Sequence, residues 1–363
     1  MLGISVYPYK ENIADTKKYI EDAFNLGYKR IFLNLLIHDE NEINDFLENN
    51  RNIINFAKNL NFEIIVDVNP NIFKILKINP NDLVFFANLG VDGIRLDGVF
   101  NGDVESNLTY NPYNLKIELN ASQNTKYIEN ILTKMPNIKN LISCHNFYPL
   151  RNSGLSEEFF ITTSKISKRH NLRLAAFVTS QNKNTHGPHK VDDKLPTLEI
   201  HRDLDISIQV KHLIATRLID DIIISNSFAS LDELKRVKDV YKPYVVFKLK
   251  KLEGITENEL TILKNCHKNR GDLAQNMIRS SLGRINYREL SIPNRNTHSN
   301  DLIKKGTVYI YNDNYGQYKG EIGIALDDIS FDKDKINILG CIDEKELFLL
   351  NYIKEYTRFE FEF

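Results

Sequence analysis

The sequence has few cysteines and almost no net charge, and both shortages exclude classes of protein. The three cysteines, Cys144, Cys266 and Cys341, are far apart and follow no metal-binding or redox spacing. An odd, scattered set of cysteines suits a reducing compartment. A net charge of -1 over 363 residues provides no overall field that would attract nucleic acid or an anionic membrane. We therefore expect neither partner.

Long apolar runs and targeting segments are also missing. No stretch approaches the roughly 20 apolar residues that cross a bilayer. The first residues, MLGISVYPYK, lack the basic and apolar regions of a signal peptide. We expect a cytoplasmic protein with no membrane contact. The sequence contains no internal repeat and does not indicate an oligomeric state.

The first two thirds of the chain alternate between β-branched runs and amphipathic helical stretches. The predicted strands are residues 2–7, 30–35, 62–68, 92–97, 115–120, 140–146, 172–180 and 220–226. Helical segments lie between them, such as TKKYIEDAFNLG, in which apolar residues recur three and four positions apart before the final Gly27. Eight strand–helix units in this length predict a (β/α)8 (TIM) barrel over residues 1–240.

An open, doubly wound sheet is the rival fold. It would normally place a glycine-rich turn after the first strand, and the stretch SVYPYKEN has no glycine. The barrel is therefore favoured. From residue 243 the pattern changes to alternating strand-like runs such as GTVYIYNDNYGQYKGEIGIAL, with only two helical stretches. This pattern predicts a second, β-rich, barrel-like domain over residues 243–363.

Several predicted barrel strands begin with apolar residues and end with polar ones. Alternation along the strand places Arg95 and Asp97 inside the barrel on the fourth strand. It places Lys116, Glu118 and Asn120 inside on the fifth. Functional groups of such barrels lie at the carboxyl ends of the strands. Because buried charges are costly unless paired or used, their convergence predicts a polar pocket at that mouth.

Other polar residues are expected at the same mouth. Further strand ends provide Asn34, Asp67, His145, Asn146, Ser225 and Asn226. The connection after the seventh strand, residues 180–205, is long enough to cover or build a site, and it holds His186, His189, Glu199, His201 and Arg202. The His186/His189 pair lacks a third ligand at fixed spacing, so we expect no metal.

Seven motifs, spread over essentially the whole chain, carry a family resemblance. They are GIRLD, KIELNAS, CHNFYPLRNSGLSEEFF, AAFVTSQN, LPTLEIHR, HKNRGDLAQNMIRSS and YGQYKGEIGIAL. In this order they resemble the bacterial family of 6-phospho-N-acetylmuramidases. The resemblance implies a catalytic (β/α)8 domain followed by a cyclophilin-like β domain. We expect no cofactor. It also implies hydrolysis of the disaccharide of N-acetylmuramic acid 6-phosphate and N-acetylglucosamine in peptidoglycan recycling.

Glycoside hydrolysis commonly uses two carboxyl groups, one protonated and one ionised. The candidates here are Asp97, Glu118 and, from the long connection, Glu199. We expect Asp97, at its strand end, to be the acid, and Glu118, beside Arg95, to be ionised; Glu199 is the alternative acid. The sequence leaves retaining, inverting and substrate-assisted mechanisms open. In the last of these, a carboxylate or Asn120 would orient the acetamido group of the sugar.

Candidates for binding the phosphorylated substrate come from both predicted domains. The start of the helix after the eighth strand, at Ser227, offers backbone N–H groups for a phosphate. The remaining candidates are Asp67, Asn120, His145, Asn146, Arg151, Arg202, Arg270 and Arg279. The arginines are chosen because a guanidinium pairs well with phosphate, although each could equally be a solvated surface residue.

Two other functions stay open at this point. A phosphosugar aldolase or isomerase on the same barrel would use a metal cluster or a Schiff-base lysine, and Lys116 is the only interior lysine that the alternation predicts. A non-enzymatic sugar-phosphate-binding protein would need no pair of carboxylates in one cleft.

Overall fold

The computed structural model describes residues 1–9, 11–35, 43–76, 78–79, 82–98, 100–295 and 302–363. The chain divides into two compact units, Met1–Asp239 and Val240–Phe363. Each unit has its own set of buried apolar side chains, and each is described by itself.

Eight parallel strands close into a barrel in the first unit. They are β1 (Leu2–Val6), β2 (Arg30–Asn34), β3 (Glu63–Val68), β4 (Gly93–Leu96), β5 (Lys116–Asn120), β6 (Leu141–Cys144), β7 (Leu174–Val178) and β8 (Asp221–Ile224). Each strand pairs with the next, and β8 pairs with β1. The predicted (β/α)8 barrel is confirmed, since the predicted strands occur in order and close the sheet.

Helices follow the strands along the chain. They are α1 (Ile13–Asn25), α2 (Ile43–Asn59), α3 (Pro70–Ile75), α4 (Val84–Leu89), α5 (Asp103–Leu108), α6 (Tyr127–Thr133), α7 (Glu157–Arg169), α8 (Ile206–Thr216) and α9 (Leu231–Val240). Local sequence sets their ends: the Asn12 side chain caps α1, and Ser156 caps α7. Among the described residues, no helix combines the length and the apolar character needed to cross a membrane.

Side chains alternate between the barrel interior and the outer layer, as the strand pattern predicts. Glu118 of β5 pairs with Arg30 of β2, a strand that is not its neighbour, so both side chains lie inside the barrel. Arg95 of β4 reaches Asp67 on β3 from the same side. The interior of this barrel is therefore partly ionic, with one charged layer at each end of the strands.

The deeper layer is a buried ion cluster near the amino-terminal strand ends. Arg30 donates through Nη1 to Asp221 at 2.6 Å and through Nη2 to Glu118. Arg173 also contacts Asp221, at 2.6 Å. The side chains of Arg30, Glu118 and Asp221 are at most 1% exposed. Because mutual pairing offsets the cost of burying them, these charges are structural.

The second unit is mostly β-structure, as predicted. Its seven-stranded sheet has the order β10-β17-β9-β16-β13-β14-β11, and its end strands β10 and β11 contact each other, so the sheet is nearly closed. The strands are β9 (Val245–Lys251), β10 (His267–Lys268), β11 (Met277–Ser280), β13 (Thr307–Tyr311), β14 (Ile322–Ala325), β16 (Ile336–Ile342) and β17 (Arg358–Glu362), with β12 (Leu302–Ile303) and β15 (Ile329–Ser330) forming a separate pair. Helices α10 (Glu257–Leu263) and α11 (Leu282–Asn286) interrupt the strands.

Candidate active site

A cavity of about 230 Å³ opens at the carboxyl ends of the barrel strands. It is lined by Asn34, Asp67, Arg95, Asp97, Asn146, Phe147, Tyr148, Phe177 and His189. Polar side chains from the ends of β2, β3, β4 and β6 form one wall, and aromatic rings form much of the rest. Barrels of this type carry their functional groups at this mouth.

Arg95 is the centre of the polar wall. Its Nη1 donates to Asp67 Oδ1 at 2.6 Å and contacts Asp97 Oδ1 at 3.3 Å, while its Nη2 donates to Asn146 Oδ1. The side chain is only 4% exposed, so water competes little for these bonds. One guanidinium therefore holds two carboxylates and one amide around a single point.

The two carboxylates have different surroundings. The Asp67 side chain is 7% exposed, and its second oxygen accepts from Asn34 Nδ2 at 3.2 Å; the Asp97 side chain is 47% exposed. Burial raises the pKa of Asp67 to about 6; Arg95 opposes this shift, and the charge of Asp97 adds to it. Both carboxylate oxygens of Asp67 therefore accept hydrogen bonds, whereas the Asp97 carboxylate is exposed to solvent.

His145 lies behind this wall rather than in it. Its ring is fully buried against Phe160, with Nδ1 3.3 Å from Ser122 Oγ and Nε2 2.9 Å from Ser164 Oγ. Burial, and secondarily Arg95, lowers the pKa of His145 to about 3, so the imidazole is neutral. Ser122 Oγ in turn accepts from the Asn146 backbone N–H at 2.8 Å. His145 thus supports Asn146, which contacts Arg95.

The rest of the cavity lining is largely aromatic. Phe147 and Phe177 pack edge to face with centroids 5.1 Å apart, and Phe32 contacts both at 6.0 and 5.1 Å. His189, from the long connection, lies 6.3 Å from the Phe147 ring. Polar groups facing fixed aromatic rings are typical of sites that orient a small polar ligand.

Of the carboxylates predicted to act in catalysis, the structure brings only Asp97 to this cavity, together with Asp67. Glu118 is fully buried in the deeper layer, where it pairs with Arg30 and not with Arg95. Register does set Glu118 opposite Arg95 in the sheet, but the side chain turns to a cation across the barrel. The cavity lining does not include it.

Glu199 and Arg202 do not line the cavity. They form hydrogen bonds that stabilise the long connection, residues 180–205. Glu199 accepts from Arg202 at 2.6 and 2.7 Å and from the backbone N–H groups of Asn152 and Gly154 at 2.9 and 2.8 Å. These bonds, the one from Arg202 foremost, lower the pKa of Glu199 to about 2. The Arg202 guanidinium also donates to four backbone carbonyls. Arg151 pairs with Asp193 and Asp203 at the surface.

Two predicted binding residues of the first unit, and the predicted phosphate-binding helix start, have other partners in the structure. Asn120 Oδ1 accepts from the Ser122 N–H at 2.8 Å, and Asn120 is not in the cavity lining. Ser227 is buried, and its N–H donates to the His186 carbonyl at 2.9 Å. The start of α9, predicted to offer N–H groups to a phosphate, is capped by Glu233, whose carboxylate accepts from the Ser230 N–H at 3.0 Å. That negative charge disfavours an anion there.

Arg270 and Arg279, the predicted phosphate contacts of the second unit, also have carboxylate partners. Arg270 pairs with Asp272 at 2.6 Å, and Arg279 Nε donates to the buried Glu321 at 2.7 Å. The two are joined by a backbone bond from Arg270 N–H to the Arg279 carbonyl, at 3.1 Å.

The sequence interpretation missed the aromatic wall. Phe147 and Tyr148 directly follow the predicted Asn146, so their place at a strand end was a usable signal. Phe177 was hidden inside an apolar strand, and His189 was considered only as a metal ligand. Within the described ranges, no group of three or more His, Cys, Asp or Glu side chains is arranged to hold a metal ion.

Two family models match nearly the whole chain. The N-terminal model of 6-phospho-N-acetylmuramidase matches residues 2–239, and the C-terminal model matches residues 245–362. The crystal structure of an uncharacterised B. cereus protein shares 41% identity at a TM-score of 0.90, covering 100% of this chain and 99% of that one. A conserved protein of unknown function from Enterococcus faecalis shares 26% identity at a TM-score of 0.70, with 100% and 96% covered. No curated protein matches.

Proposed function

Because the chain belongs to the 6-phospho-N-acetylmuramidase family, whose members are glycosidases of peptidoglycan recycling, we propose that its barrel cavity is where a phosphorylated muramyl sugar is hydrolysed. The proposed substrate is the disaccharide of N-acetylmuramic acid 6-phosphate and N-acetylglucosamine. The barrel is the catalytic domain in this account.

The main observation behind the proposal is that the carboxylates of Asp67 and Asp97 both contact the Arg95 guanidinium. Asp67 Oδ1 and Asp97 Oδ1 contact the same nitrogen of Arg95, at 2.6 and 3.3 Å. These two oxygens are therefore no more than about 6 Å apart, closer to the ~5–5.5 Å of retaining glycosidases than to the ~6.5–9.5 Å of inverting ones. The spacing supports a reaction that retains the anomeric configuration.

The roles follow from exposure and hydrogen bonding. Asp97 is half-exposed and reaches the cavity, so it is the proposed proton donor to the leaving sugar. Asp67 accepts a hydrogen bond on each oxygen, from Arg95 and Asn34. These donors oppose the burial that raises its pKa to about 6, so Asp67 is a carboxylate above that pH. Asp67 takes the ionised role that the sequence had given to Glu118.

The ionised partner has two ways to produce retention. Asp67 could attack the anomeric carbon itself, or it could orient the acetamido group of the muramyl sugar so that the acetamido oxygen attacks. In the second case the carboxylate accepts the acetamido N–H. The same residues serve both routes, and both give a product of retained configuration.

The alternative functions have no such support. Lys116, the lysine nominated for an imine, donates to the Lys139 carbonyl at 2.6 Å, next to the amino-terminal end of β6 and away from the mouth. A protein that only binds a sugar phosphate would not need two carboxylates sharing one arginine.

We also propose a cytoplasmic location. A phosphorylated sugar is an anion that does not cross a bilayer core unaided, so the enzyme must share its compartment. The three free cysteines suit reducing conditions. Recovery of the native enzyme mainly outside the cell would overturn this location.

Incubation of the purified protein with the phosphorylated disaccharide tests the activity. Mass spectrometry should show two monosaccharides and the gain of one water across the bond, and early proton NMR spectra should show a product of retained configuration. The unphosphorylated disaccharide is the matched control substrate. An unchanged disaccharide would refute the activity, and an inverted first product would refute the paired-carboxylate mechanism.

A further inference from the structure

The second unit contains a cationic cleft that the barrel reaction does not explain. The cleft has a volume of about 760 Å³ and is bordered by α11 and the turn at residues 313–319. Arg284 and Arg288 line it from the helix side, and Lys319 lines it from the turn. Lys319 also lies 3.6 Å from Asp313, so Arg284 and Arg288 contribute most of the positive charge that would attract an anion to the cleft.

A buried carboxylate holds two guanidiniums in place beside this cleft. Glu321 is fully buried; it accepts from Arg279 Nε at 2.7 Å and lies 3.3 Å from Arg284 Nε. Both arginines use Nε for this pairing. No acceptor among the described residues bonds to their Nη groups, and Arg288 makes no ion pair or hydrogen bond with that part of the chain. The Nε atoms of these guanidinium groups are thus fixed by Glu321, while their Nη groups can donate to a ligand.

Two glycines bring the two walls of the cleft close together. A Cβ on Gly283 of α11 would lie 2.0 Å from the Gly320 carbonyl oxygen, and Gly320 has φ of 83°, a conformation that other residues rarely adopt. Only glycine at both positions allows this approach. The packing sets Arg284 against the turn that carries Lys319.

An aromatic ring completes the arrangement. The Arg284 guanidinium lies 5.3 Å over the ring of Tyr318, which is half-buried and contacts Tyr315 at 5.6 Å. The cation–π contact limits the rotation of Arg284. The Tyr318 ring therefore supports one of the cations that line the cleft.

We propose that this cleft of the second unit binds a phosphosugar, with the phosphate held by Arg284, Arg288 and Lys319. The identity of the sugar rests on the proposed function, because the phosphorylated muramyl sugar is the phosphosugar that the enzyme encounters. The binding of a phosphate group rests only on the cleft.

The absence of tryptophan from the sequence provides a specific reporter. Ile285 lines the cleft and is 65% exposed, so Ile285→Trp places the only tryptophan at the site at little cost in stability. The full-length variant is titrated with N-acetylmuramic acid 6-phosphate, inorganic phosphate and unphosphorylated N-acetylmuramic acid. Saturable changes in emission are expected with the two phosphate compounds, and the sugar phosphate should bind more tightly. No such change is expected with unphosphorylated N-acetylmuramic acid, which keeps the lactyl carboxylate but lacks the phosphate.

The arginines are tested in the same background. Arg284→Gln and Arg288→Gln should each weaken binding of the sugar phosphate by about tenfold or more, the loss of one charge-assisted contact. Lys304→Gln removes the same charge from an exposed residue paired with Asp328 elsewhere in this unit, and should leave the affinity unchanged. Circular dichroism verifies that each variant is folded, and phosphorus NMR line broadening repeats the comparison without the tryptophan.

Each outcome decides the proposal. Equal weakening by Lys304→Gln would show a general charge effect and overturn the site. Absence of a response to both phosphate compounds, by fluorescence and by phosphorus NMR, would also overturn it. A response to inorganic phosphate alone would overturn its assignment to a phosphosugar. Binding of inorganic phosphate at the cleft does not require hydrolysis of the disaccharide. The binding test can therefore succeed or fail independently of the activity test for the barrel cavity.

Discussion

Arg95 and Asp67 form a buried ion pair, 2.6 Å from Nη1 to Oδ1, at the carboxyl end of neighbouring strands. The same nitrogen contacts Asp97, and the other terminal nitrogen contacts Asn146. Because buried charges are costly unless they are paired, removing Asp67 leaves the buried Arg95 charge poorly compensated, whereas removing the half-exposed Asp97 does so much less. This arrangement determines the expected behaviour of the variants below.

Asp97→Asn should affect poor leaving groups most. A proton donor matters for a sugar alkoxide and much less for an activated aryl group that departs without help. We expect a loss on the order of 10²–10⁴ in rate on the disaccharide and a far smaller loss on an aryl glycoside of N-acetylmuramic acid 6-phosphate. Steady-state rates on the two substrates provide the comparison. Equal losses on both would remove Asp97 from the acid role.

The pH dependence of kcat/KM should separate the roles of the two aspartates. The pKa of Asp67 is raised to about 6, and an ionised role requires its carboxylate, so kcat/KM should fall as the pH drops through about 6. If Asp67 were instead the acid, kcat/KM would fall as the pH rises through that value.

The substrate phosphate also titrates near pH 6, so the pH profile needs a control. Asn34→Ala removes a donor to the Asp67 carboxylate and should move the acidic limb to higher pH. A limb caused by the phosphate would not move.

His145→Phe should impair catalysis through position. The change preserves packing against Phe160 but removes the bond to Ser122 that supports Asn146. We expect kcat to fall on the order of 10–10² on both the disaccharide and the aryl glycoside, with little change in KM. His145→Gln, which retains a polar group, should recover part of the rate.

Ser143→Ala is the matched control for His145, because it removes a buried hydroxyl of β6 that bonds to Ser167 away from the cavity. If His145→Phe lost thermal stability but kept its kcat, His145 would have only a structural role and would not position the catalytic groups.

Glu199→Gln should destabilise the fold without changing the leaving-group preference. It removes the counter-charge of the nearly buried Arg202, and we expect a loss of roughly 1–3 kcal/mol in the free energy of unfolding. The pKa of Glu199 is about 2 when folded, below its unfolded value, so the stabilisation is complete above pH ~5 and is lost as the pH falls toward 2.

Urea unfolding of wild type and variant across this pH range measures the difference. Asp232→Asn, at an exposed pair with Arg236, should cost less than about 0.5 kcal/mol. A Glu199→Gln variant of wild-type stability that loses rate only on the disaccharide would return the acid role to Glu199.

Strand alternation was enough to predict the barrel and the inward orientation of Arg95 and Asp97, because the strand positions and the inward-facing positions both follow from local periodicity. It could not predict the partner of Glu118. Arg30 lies 88 residues earlier on a strand that is not adjacent, and their meeting depends on the depth at which each side chain enters the closed barrel. The Glu199–Arg202 pair, by contrast, is three residues apart and was readable as a local ion pair.

The most direct test of the account compares Asp67→Asn with Glu118→Gln on the phosphorylated disaccharide. We expect Asp67→Asn to be folded and to lose at least about 10² in rate, because it removes the ionised carboxylate of the pair. Glu118→Gln should lose stability but retain its rate per folded molecule, because Glu118 serves the deeper ion cluster. Near wild-type hydrolysis by Asp67→Asn, with a folded Glu118→Gln inactive, would contradict the account.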